Sequence, residues 1–290
     1  MKKYFISTIM MLLTVAAMAQ NKISPLLQNG YRAVYIEEQT SGETKIVAEY
    51  EYVVSDVTPN GAIITTTLLN VETTGGEDDL TGKLMAMGEQ IMRGVSLKLI
   101  VNADGQVTGL QNTDEVKAMC TEMANTMIDE LLAQAPQIAQ MMPKEALLAQ
   151  VTEKLDEQSL IQSLTNIGVL SLNGKTPMNG ASETFSYQGM KMKRMYFVAG
   201  KRIITNSTLD MTTDELKEFI IHQVEQIAPD QAEMIRQNID LIMGQMTMEM
   251  TIRSTYELQD NGWVKSIQSE TTENMMGQSS RQVSTTTLKE

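Results

Sequence analysis

The helical block between Asn112 and Leu170 limits the fold most, because strand-forming sequence lies both before and after it. Its apolar residues recur at the i, i+3, i+4, i+7 spacing of an amphipathic helix. They are Val116, Met119, Cys120, Met123, Met127, Leu131 and Leu132. Pro136 ends this helix, and Pro143 suits the first turn of a second one. Because an apolar helix face must be buried, we expect the block to cover the flanking strands.

A second helical block begins with nearly the same residues as the first. Asn112-Thr113-Asp114-Glu115 opens the first block, and Thr212-Thr213-Asp214-Glu215 opens the second. In a capping box the leading side chain accepts from the third backbone N–H while the Glu reaches back to the leading N–H. The sequence therefore predicts the same cap at both starts. The second block continues to Ile242, with a break near Pro229.

The remainder of the chain has the period of two that is typical of half-buried strands. The predicted strands are Tyr31 to Gln39, Ile46 to Val57, Ala62 to Thr73, a strand within Gln90 to Val101, Gln106 to Leu110, Met190 to Val198, Arg202 to Met211, Met246 to Leu258, Trp263 to Thr272 and Ser280 to Leu288. Gly- and Asn-containing turns separate them. Residues 172–182, with Asn173-Gly174 and Asn179-Gly180, are predicted to be a linker.

This element order predicts an α+β fold. We expect a curved, half-barrel-like antiparallel sheet with Met-rich helices packed on one face. Residues 20–290 are predicted to form one domain. Two similar halves, 20–172 and 173–290, are the alternative, since both contain strands and helices.

The first nineteen residues have the composition of a signal peptide. Lys2 and Lys3 precede an apolar run from Phe5 to Ala16, and Ala17-Met18-Ala19 fits a cleavage site before Gln20. We therefore expect an exported protein, periplasmic or extracellular. No lipid anchor is expected, because no Cys stands at the cleavage point. The mature chain has no apolar run of the roughly 20 residues that a membrane span needs.

Charge and residue usage exclude several classes of function. The net charge of −13 disfavours nucleic acid and anionic lipid surfaces. The single cysteine, Cys120, lies on the apolar stripe and is predicted to be a small buried side chain. The single histidine, His222, rules out two-His zinc motifs and is predicted to lie on a solvated helix face. No pair of carboxylates stands out among 36 acidic residues, so we predict no catalytic residue, metal or cofactor.

Methionine is unusually frequent, with 24 residues, and several recur on strands. These methionines have three interpretations. They are ordinary core residues, since thioethers fill irregular gaps, or they form an adaptable lining for an apolar ligand. The third interpretation is a Cu(I) site, since thioethers are soft ligands. The copper interpretation requires exposed, converging side chains. The residues predicted to contact a ligand are Met190, Met192, Met246, Met248, Met250 and Ile252.

Four features of the chain occur together: the Tyr-rich opening hairpin, the turn at Val57 to Gly61, the Val101 to Val107 segment, and the Gln245 to Glu257 strand followed by Asn261-Gly262-Trp263. In these features the chain resembles a family of exported proteins of unknown function found in Bacteroidetes. The family brings no known activity or site residues. The element order is also similar to the half-barrels of periplasmic lipoprotein-carrier and lipid-binding proteins, an analogy of fold alone.

The function predicted from these features is binding without catalysis. An apolar ligand, a lipid or an acylated protein would occupy a groove between sheet and helices. The alternative is a structural or protein-interaction component of the envelope that docks other envelope proteins through a surface such as Thr74 to Gly82. A carboxylate-based enzyme and a Cu(I)-binding protein are less favoured.

Overall fold

The structure is a computed structural model, and it describes residues 22–75, 93–134, 143–153, 157–227, 229–245, 248–275 and 278–289. The predicted signal peptide lies outside these residues. The strands are β1 (Arg32–Ser41), β2 (Thr44–Thr58), β3 (Gly61–Thr74), β4 (Ser96–Asn102), β5 (Val107–Leu110), β6 (Ser182–Tyr187), β7 (Met190–Ala199), β8 (Arg202–Leu209), β9 (Met248–Leu258), β10 (Val264–Met275) and β11 (Gln278–Leu288). The helices are α1 (Thr113–Gln134), α2 (Lys144–Glu153), α3 (Glu157–Thr165), α4 (Thr213–Ile227) and α5 (Pro229–Gln245).

All eleven of these strands belong to one antiparallel sheet. Their order is β5-β4-β3-β2-β1-β11-β10-β9-β8-β7-β6, so the first and last strands pair at its centre. Glu37 of β1 lies opposite Thr286 of β11 at that junction. Strands from both predicted halves of the chain therefore share one sheet. Whether the halves are similar units stays a prediction.

The sheet curls strongly, although it remains open between its edge strands. Ten steps of about 4.8 Å would place β5 and β6 roughly 48 Å apart in a flat sheet. Helix α3 nevertheless contacts both of them, and its nine residues span only about 13 Å. The two edges must therefore approach each other across the helix.

Two side-chain hydrogen bonds tie the α3 region to these edge strands. The backbone N–H of Leu110, at the end of β5, donates to Glu157 Oε1 over 2.8 Å. On the other side, Asn166 Nδ2 donates to the carbonyl of Ser186 in β6 over 2.5 Å. Unpaired edge groups are a template for pairing with other chains. The α3 segment satisfies part of this template on both edges.

One end of the curled sheet is filled by a dense core. Its large, fully buried members include Trp263, Tyr35, Tyr256, Ile64, Leu99 and Ile203. Leu99 of β4 and Ile203 of β8 lie far apart in strand order, yet both belong to this cluster. The inner face of the sheet therefore packs largely against itself at this end.

The N-terminal segment before β1 seals the packed end. Leu26 N donates to Asn261 O over 2.7 Å, and the Trp263 indole donates to Leu26 O over 3.1 Å. The Trp263 ring stacks on Tyr31 with ring centres 5.0 Å apart. Gly262 has a positive φ of 81°, and a Cβ there would lie 2.5 Å from Ser24 O. Only glycine lets the segment pass this closely.

The predicted linker at residues 172–182 belongs partly to this core. Leu172 and Asn173 are buried, and Asn173 Nδ2 donates to Gly105 O over 3.1 Å. The linker interpretation was wrong for these residues, because their Gly and Asn content reflects tight turns inside the closed end. Strand β6, which follows, was not predicted.

The predicted fold class was wrong. Instead of an α+β domain with a layer of helices on one sheet face, the chain forms one large open antiparallel sheet with few helices. Helices α1 and α2 pack on each other, as do α4 and α5. Among the buried residues of the main core that the structure describes, helices contribute only Val116 and Cys120. The curled sheet buries its inner face mostly by itself, so it needs no helix layer.

The two predicted capping boxes have different outcomes. At α4, Thr212 N donates to Glu215 Oε2 over 2.7 Å and Glu215 N donates to Thr212 Oγ1 over 3.2 Å, which confirms the box. At α1, the prediction was wrong. Asn112 Oδ1 accepts from Lys98 N, and Asn112 Nδ2 donates to Ser96 O, both over 2.9 Å. The side chain holds β4, and its only bond to the helix start among the described residues is from Asn112 Nδ2 to Glu115 Oε2 over 3.2 Å, which leaves the backbone N–H groups of the box unpaired by it.

Two single-residue predictions are confirmed. Cys120 is buried, and burial raises the pKa of its thiol. His222 is exposed on α4. None of the helices in the described part combines the length and apolar character that a membrane crossing needs.

Candidate functional site

The other end of the inner sheet face is not filled and holds a cavity of about 600 Å³. Residues of β1, β2, β3, β4, β10 and β11 line it, with Tyr187 from β6 and residues 164–169 from the end of α3 and beyond. This volume lies within the range of roughly 300–1,000 Å³ that is usual for small-molecule sites. The cavity adjoins the packed core at Tyr35, which belongs to both.

A row of small polar residues explains why this end is not filled. In register across the sheet, Gln39 lies opposite Ser284, Ser284 opposite Ser269, and Ser269 opposite Ser254. Ser254 and Ser269 are buried and hydrogen-bonded to each other over 2.7 Å. Serine side chains are too short to reach across the curled sheet. The space above this row therefore stays empty of protein atoms.

The facing wall of the cavity is apolar. Leu68 and Val71 of β3, Leu97 of β4, and Leu164 and Ile167 at the end of α3 contribute to it. Apolar side chains that border empty space gain fewer dispersion contacts than packed ones. This wall therefore gains further contacts when an apolar group enters the cavity.

Glu37 is the one carboxylate among the described residues that line the cavity, and no Lys, Arg or His is among them. Strand β1 alternates, so Ala33, Tyr35 and Glu37 point to the same inner face. Burial raises the pKa of the Glu37 carboxyl above its ordinary value. Within the described part of the chain, the Glu37 side chain has no hydrogen bond or ion pair.

Three tyrosines lie near this carboxylate, Tyr35 on the same strand and Tyr50 and Tyr52 on the neighbouring β2. Burial, together with the charge of Glu37, raises the pKa of Tyr50 to about 12. The pKa of Tyr52 is also raised, mainly by burial, although its hydrogen bond with Thr66 opposes the shift. Tyr35 and Tyr52 meet edge to face at 5.5 Å, and the Tyr35 hydroxyl donates to Val264 O over 2.7 Å. These phenols remain protonated at neutral pH and offer hydroxyl groups beside the cavity.

A separate charged cluster lies on β6 and β7. Lys175, Arg194 and Tyr196 all donate to Glu183 Oε1, over 2.5, 3.1 and 2.6 Å. Burial raises the pKa of Glu183, but these donors outweigh it and the pKa is lowered overall. The Arg194 guanidinium also lies over the Phe185 ring at 4.2 Å. Every charge in this cluster has a partner, so the cluster secures β6 at the sheet edge.

The five described residues among those predicted to contact a ligand lie beside the cavity and are not part of its described lining. Met190, Met192, Met250 and Ile252 form a buried cluster, with Met248 packed at its edge. Phe219 of α4 covers this cluster. Met246 lies outside the described residues. The role of these side chains as ligand contacts stays a prediction.

The burial of this cluster bears on the copper interpretation. Met190, Met192 and Met250 are 6%, 0% and 3% exposed, whereas the interpretation required exposed side chains. The cluster and the cavity nevertheless share two neighbours, Ile167 and Tyr187. The Met cluster therefore supports one side of the cavity.

Sequence reasoning missed the cavity lining itself. A signal was present in β1, where the polar residues Glu37 and Gln39 point to the same inner face as Ala33 and Tyr35. A second signal was the inward Ser and Thr of β10 and β11. Polar residues in the buried phase of a strand indicate a cavity or a polar contact. The Met-rich strands drew attention to the neighbouring cluster instead.

Comparison with known proteins gives no family. No known family and no curated protein matches the chain. The resemblance to exported Bacteroidetes proteins is therefore not confirmed.

Two solved structures share some likeness. One, described as lipid–protein interactions in lipovitellin, has a TM-score of 0.38 and 11% identity, and covers 91% of this chain. The chain spans about a quarter of that protein, 26% of its length. The other, a porin-like protein from Bacteroides uniformis ATCC 8492, has a TM-score of 0.22 and 9% identity, and the match covers 92% of this chain and 98% of the other. At these TM-scores neither likeness supports a conclusion about this chain.

Proposed function

We propose that this protein is a non-enzymatic binding protein that holds an apolar ligand in the cavity at the open end of its sheet. The observation that carries the proposal is the cavity of about 600 Å³ with its apolar wall of Leu68, Val71, Leu97, Leu164 and Ile167. Unfilled apolar surface of this extent costs stability. A ligand that covers the wall recovers part of that cost.

The occupant to which the geometry is best suited is a single hydrocarbon chain with a polar end. The apolar wall on β3 and β4 faces a polar wall on β10 and β11. A purely apolar ligand would bury the hydroxyls of Thr271 and Ser284 without new partners, which is unfavourable. An amphiphile places its chain on one wall and its hydrogen-bonding end on the other.

A non-enzymatic role is part of the proposal. Apart from Glu37, the described lining consists of apolar, hydroxyl and amide side chains with one glycine. Hydroxyl nucleophiles need a neighbouring base, and no His, Lys or Arg lies among these residues. Catalysis by hydroxyl or carboxylate groups would be revealed by turnover of an ester or glycoside probe that is lost with Glu37→Gln.

The proposal is tested with a variant whose cavity is filled by a larger side chain. The binding of a neutral apolar dye, N-phenyl-1-naphthylamine, is measured by its fluorescence. Ser284→Leu places a bulky side chain in the cavity, while Thr287→Leu adds the same group to the exposed outer face of the same strand. We expect wild type and Thr287→Leu to bind the dye with similar affinity. Ser284→Leu should bind at least about tenfold more weakly, equivalent to about 1.4 kcal/mol.

The stability of Ser284→Leu provides the check on this test. Because the new side chain enters empty space, the free energy of unfolding should change by less than about 1 kcal/mol, below the usual cost of overpacking. Equal dye binding by all three proteins, with all three folded, would refute a binding role for the cavity.

A further inference from the structure

We propose that the ligand of this cavity is a single-chain amphiphile with a cationic ammonium head, which pairs with Glu37. This inference rests on the proposed function, because it names the ligand class of the same cavity. It is carried by the position of a lone carboxylate on the inner face of β1, opposite Thr286 and Ala48 and among uncharged lining residues.

Among the described residues, the charge at Glu37 has no counter-charge. Glu37 is half-buried. A carboxylate that is partly removed from water is normally paired, because desolvation of an unpaired charge is costly. Elsewhere in the described chain the protein follows this rule: Glu183 is held by Lys175 and Arg194. At Glu37 the described residues provide neither a cation nor a hydrogen-bond donor in contact. A bound cation would supply the missing partner.

The described lining residues on the elements around Glu37 carry no charge at neutral pH. On β2 the titratable neighbours are Tyr50 and Tyr52, which carry no charge at neutral pH. On β11 the neighbours Gln282, Ser284 and Thr286 do not ionise. The covering segment at residues 164–169 presents Leu164, Ile167, Gly168 and Val169.

A second carboxylate adds to the negative charge near the cavity. Glu273 on β10 lies two residues beyond the lining residue Thr271, in the same inward phase. Burial, together with the charge of Glu273, raises the pKa of Tyr187, which lines the cavity. Both carboxylates therefore favour a cation and oppose the carboxylate or phosphate head of an anionic lipid.

The shape of the cavity selects the remainder of the ligand. Leu68 and Val71 of β3 and Leu97 of β4 form an apolar wall on adjacent strands, which β2 separates from the carboxylate on β1. The hydroxyls of Tyr50 and Thr286 lie on the strands that flank Glu37 and suit the N–H donors of a primary ammonium. An alkyl chain on the wall and an ammonium at Glu37 satisfy both parts at once.

The experiment compares dodecylamine with laurate, which have twelve-carbon chains and opposite head charges. Each displaces N-phenyl-1-naphthylamine from the full chain at neutral pH, at concentrations below micelle formation. For wild type we expect dodecylamine to be effective at roughly tenfold lower concentration than laurate. Glu37→Gln should abolish the preference. Glu38→Gln, which removes the same charge from the exposed outer face of β1, should retain it.

The outcomes separate this inference from the function on which it rests. If both amphiphiles displace the dye equally and Glu37→Gln changes nothing, the ammonium head is refuted while the binding function stands. A preference for laurate would refute it as well. If Glu38→Gln loses the preference as fully as Glu37→Gln does, overall charge is responsible and the inference fails. If neither the dye nor either amphiphile binds, the proposed function itself is refuted.

Discussion

The two ends of the inner sheet face are built from the same strands but in opposite ways. At the packed end, Trp263, Tyr35, Ile64 and Leu99 fill the space between strands that are far apart in sheet order. At the cavity end, β1, β10 and β11 present serine, threonine and glutamine, β3 and β4 present leucine and valine, and about 600 Å³ stays open. The packed end and the cavity end therefore differ in the size of the side chains along each strand, and not in the backbone.

The contrast assigns stability to one end and binding to the other. Closely packed interiors lose free energy when any buried group is removed, because the surroundings relax only partly. The cavity end loses less free energy when a side chain is truncated, and it can accept a ligand. Substitutions at either end test this division.

Trp263→Ala should have the largest effect, because the indole fills the packed end and anchors the N-terminal segment through Leu26 O. We expect the free energy of unfolding to fall by about 3–5 kcal/mol. Urea unfolding followed by circular dichroism measures the loss. Trp263→Phe keeps an aromatic ring beside Tyr31 and should lose clearly less. Equal losses for both variants would show that the ring does not support this end.

Truncation of two leucines on the inner face compares the ends directly. Leu99 of β4 is fully buried in the packed core, whereas Leu68 of β3 borders the cavity. Leu99→Ala should cost about 4 kcal/mol and Leu68→Ala about 2 kcal/mol, within the usual range for buried leucines. Urea midpoints at constant m-value give both numbers. Similar costs would contradict the view that the cavity end is loosely packed.

Glu37→Gln should have the smallest effect on stability, and that effect should depend on pH. Burial raises the pKa of Glu37 in the folded protein above its ordinary value of 4.5, so the native state holds the proton to higher pH than the unfolded chain. The wild-type free energy of unfolding therefore falls as pH rises from 4.5 through the raised pKa. Above that pKa the penalty is complete.

The measurement is urea unfolding of wild type and Glu37→Gln from about pH 4 to about pH 8. The difference between the two proteins should grow in favour of Glu37→Gln as pH rises and then level off. Glu38→Gln, on the outer face, controls for the change in net charge. A constant difference across this range would show that burial in the folded protein does not raise the pKa of Glu37.

Much of the local structure follows from the sequence. The alternation from Met248 to Leu258, the Thr212–Glu215 cap and the hairpin around Gly200 all depend on neighbouring residues. The Asn112 cap failed although its sequence is nearly the same as that of Thr212. The difference is a distant strand: β4 presents Lys98 N and Ser96 O to the Asn112 side chain. Such tertiary competition cannot be seen in a local pattern.

The fold class and the site depend on curvature, which no single segment encodes. The helical pattern from residue 112 onward predicts helices correctly, but not how little of the sheet they cover. Curling brings Tyr187 of β6 to the same cavity as Leu97 of β4, two strands near opposite edges. A polar residue in an inward phase, such as Glu37, becomes meaningful only when that closure is known.

The pairing of β1 with β11 has a consequence for the order in which the chain can fold. β1 meets β2 through a short turn, but its other edge stays unpaired until the last strand has been made. Contacts between such distant segments slow folding, because long loops must close first. The cavity needs Glu37 from β1 and its polar wall from β10 and β11. A nascent chain therefore has no binding site until β11 has been synthesised.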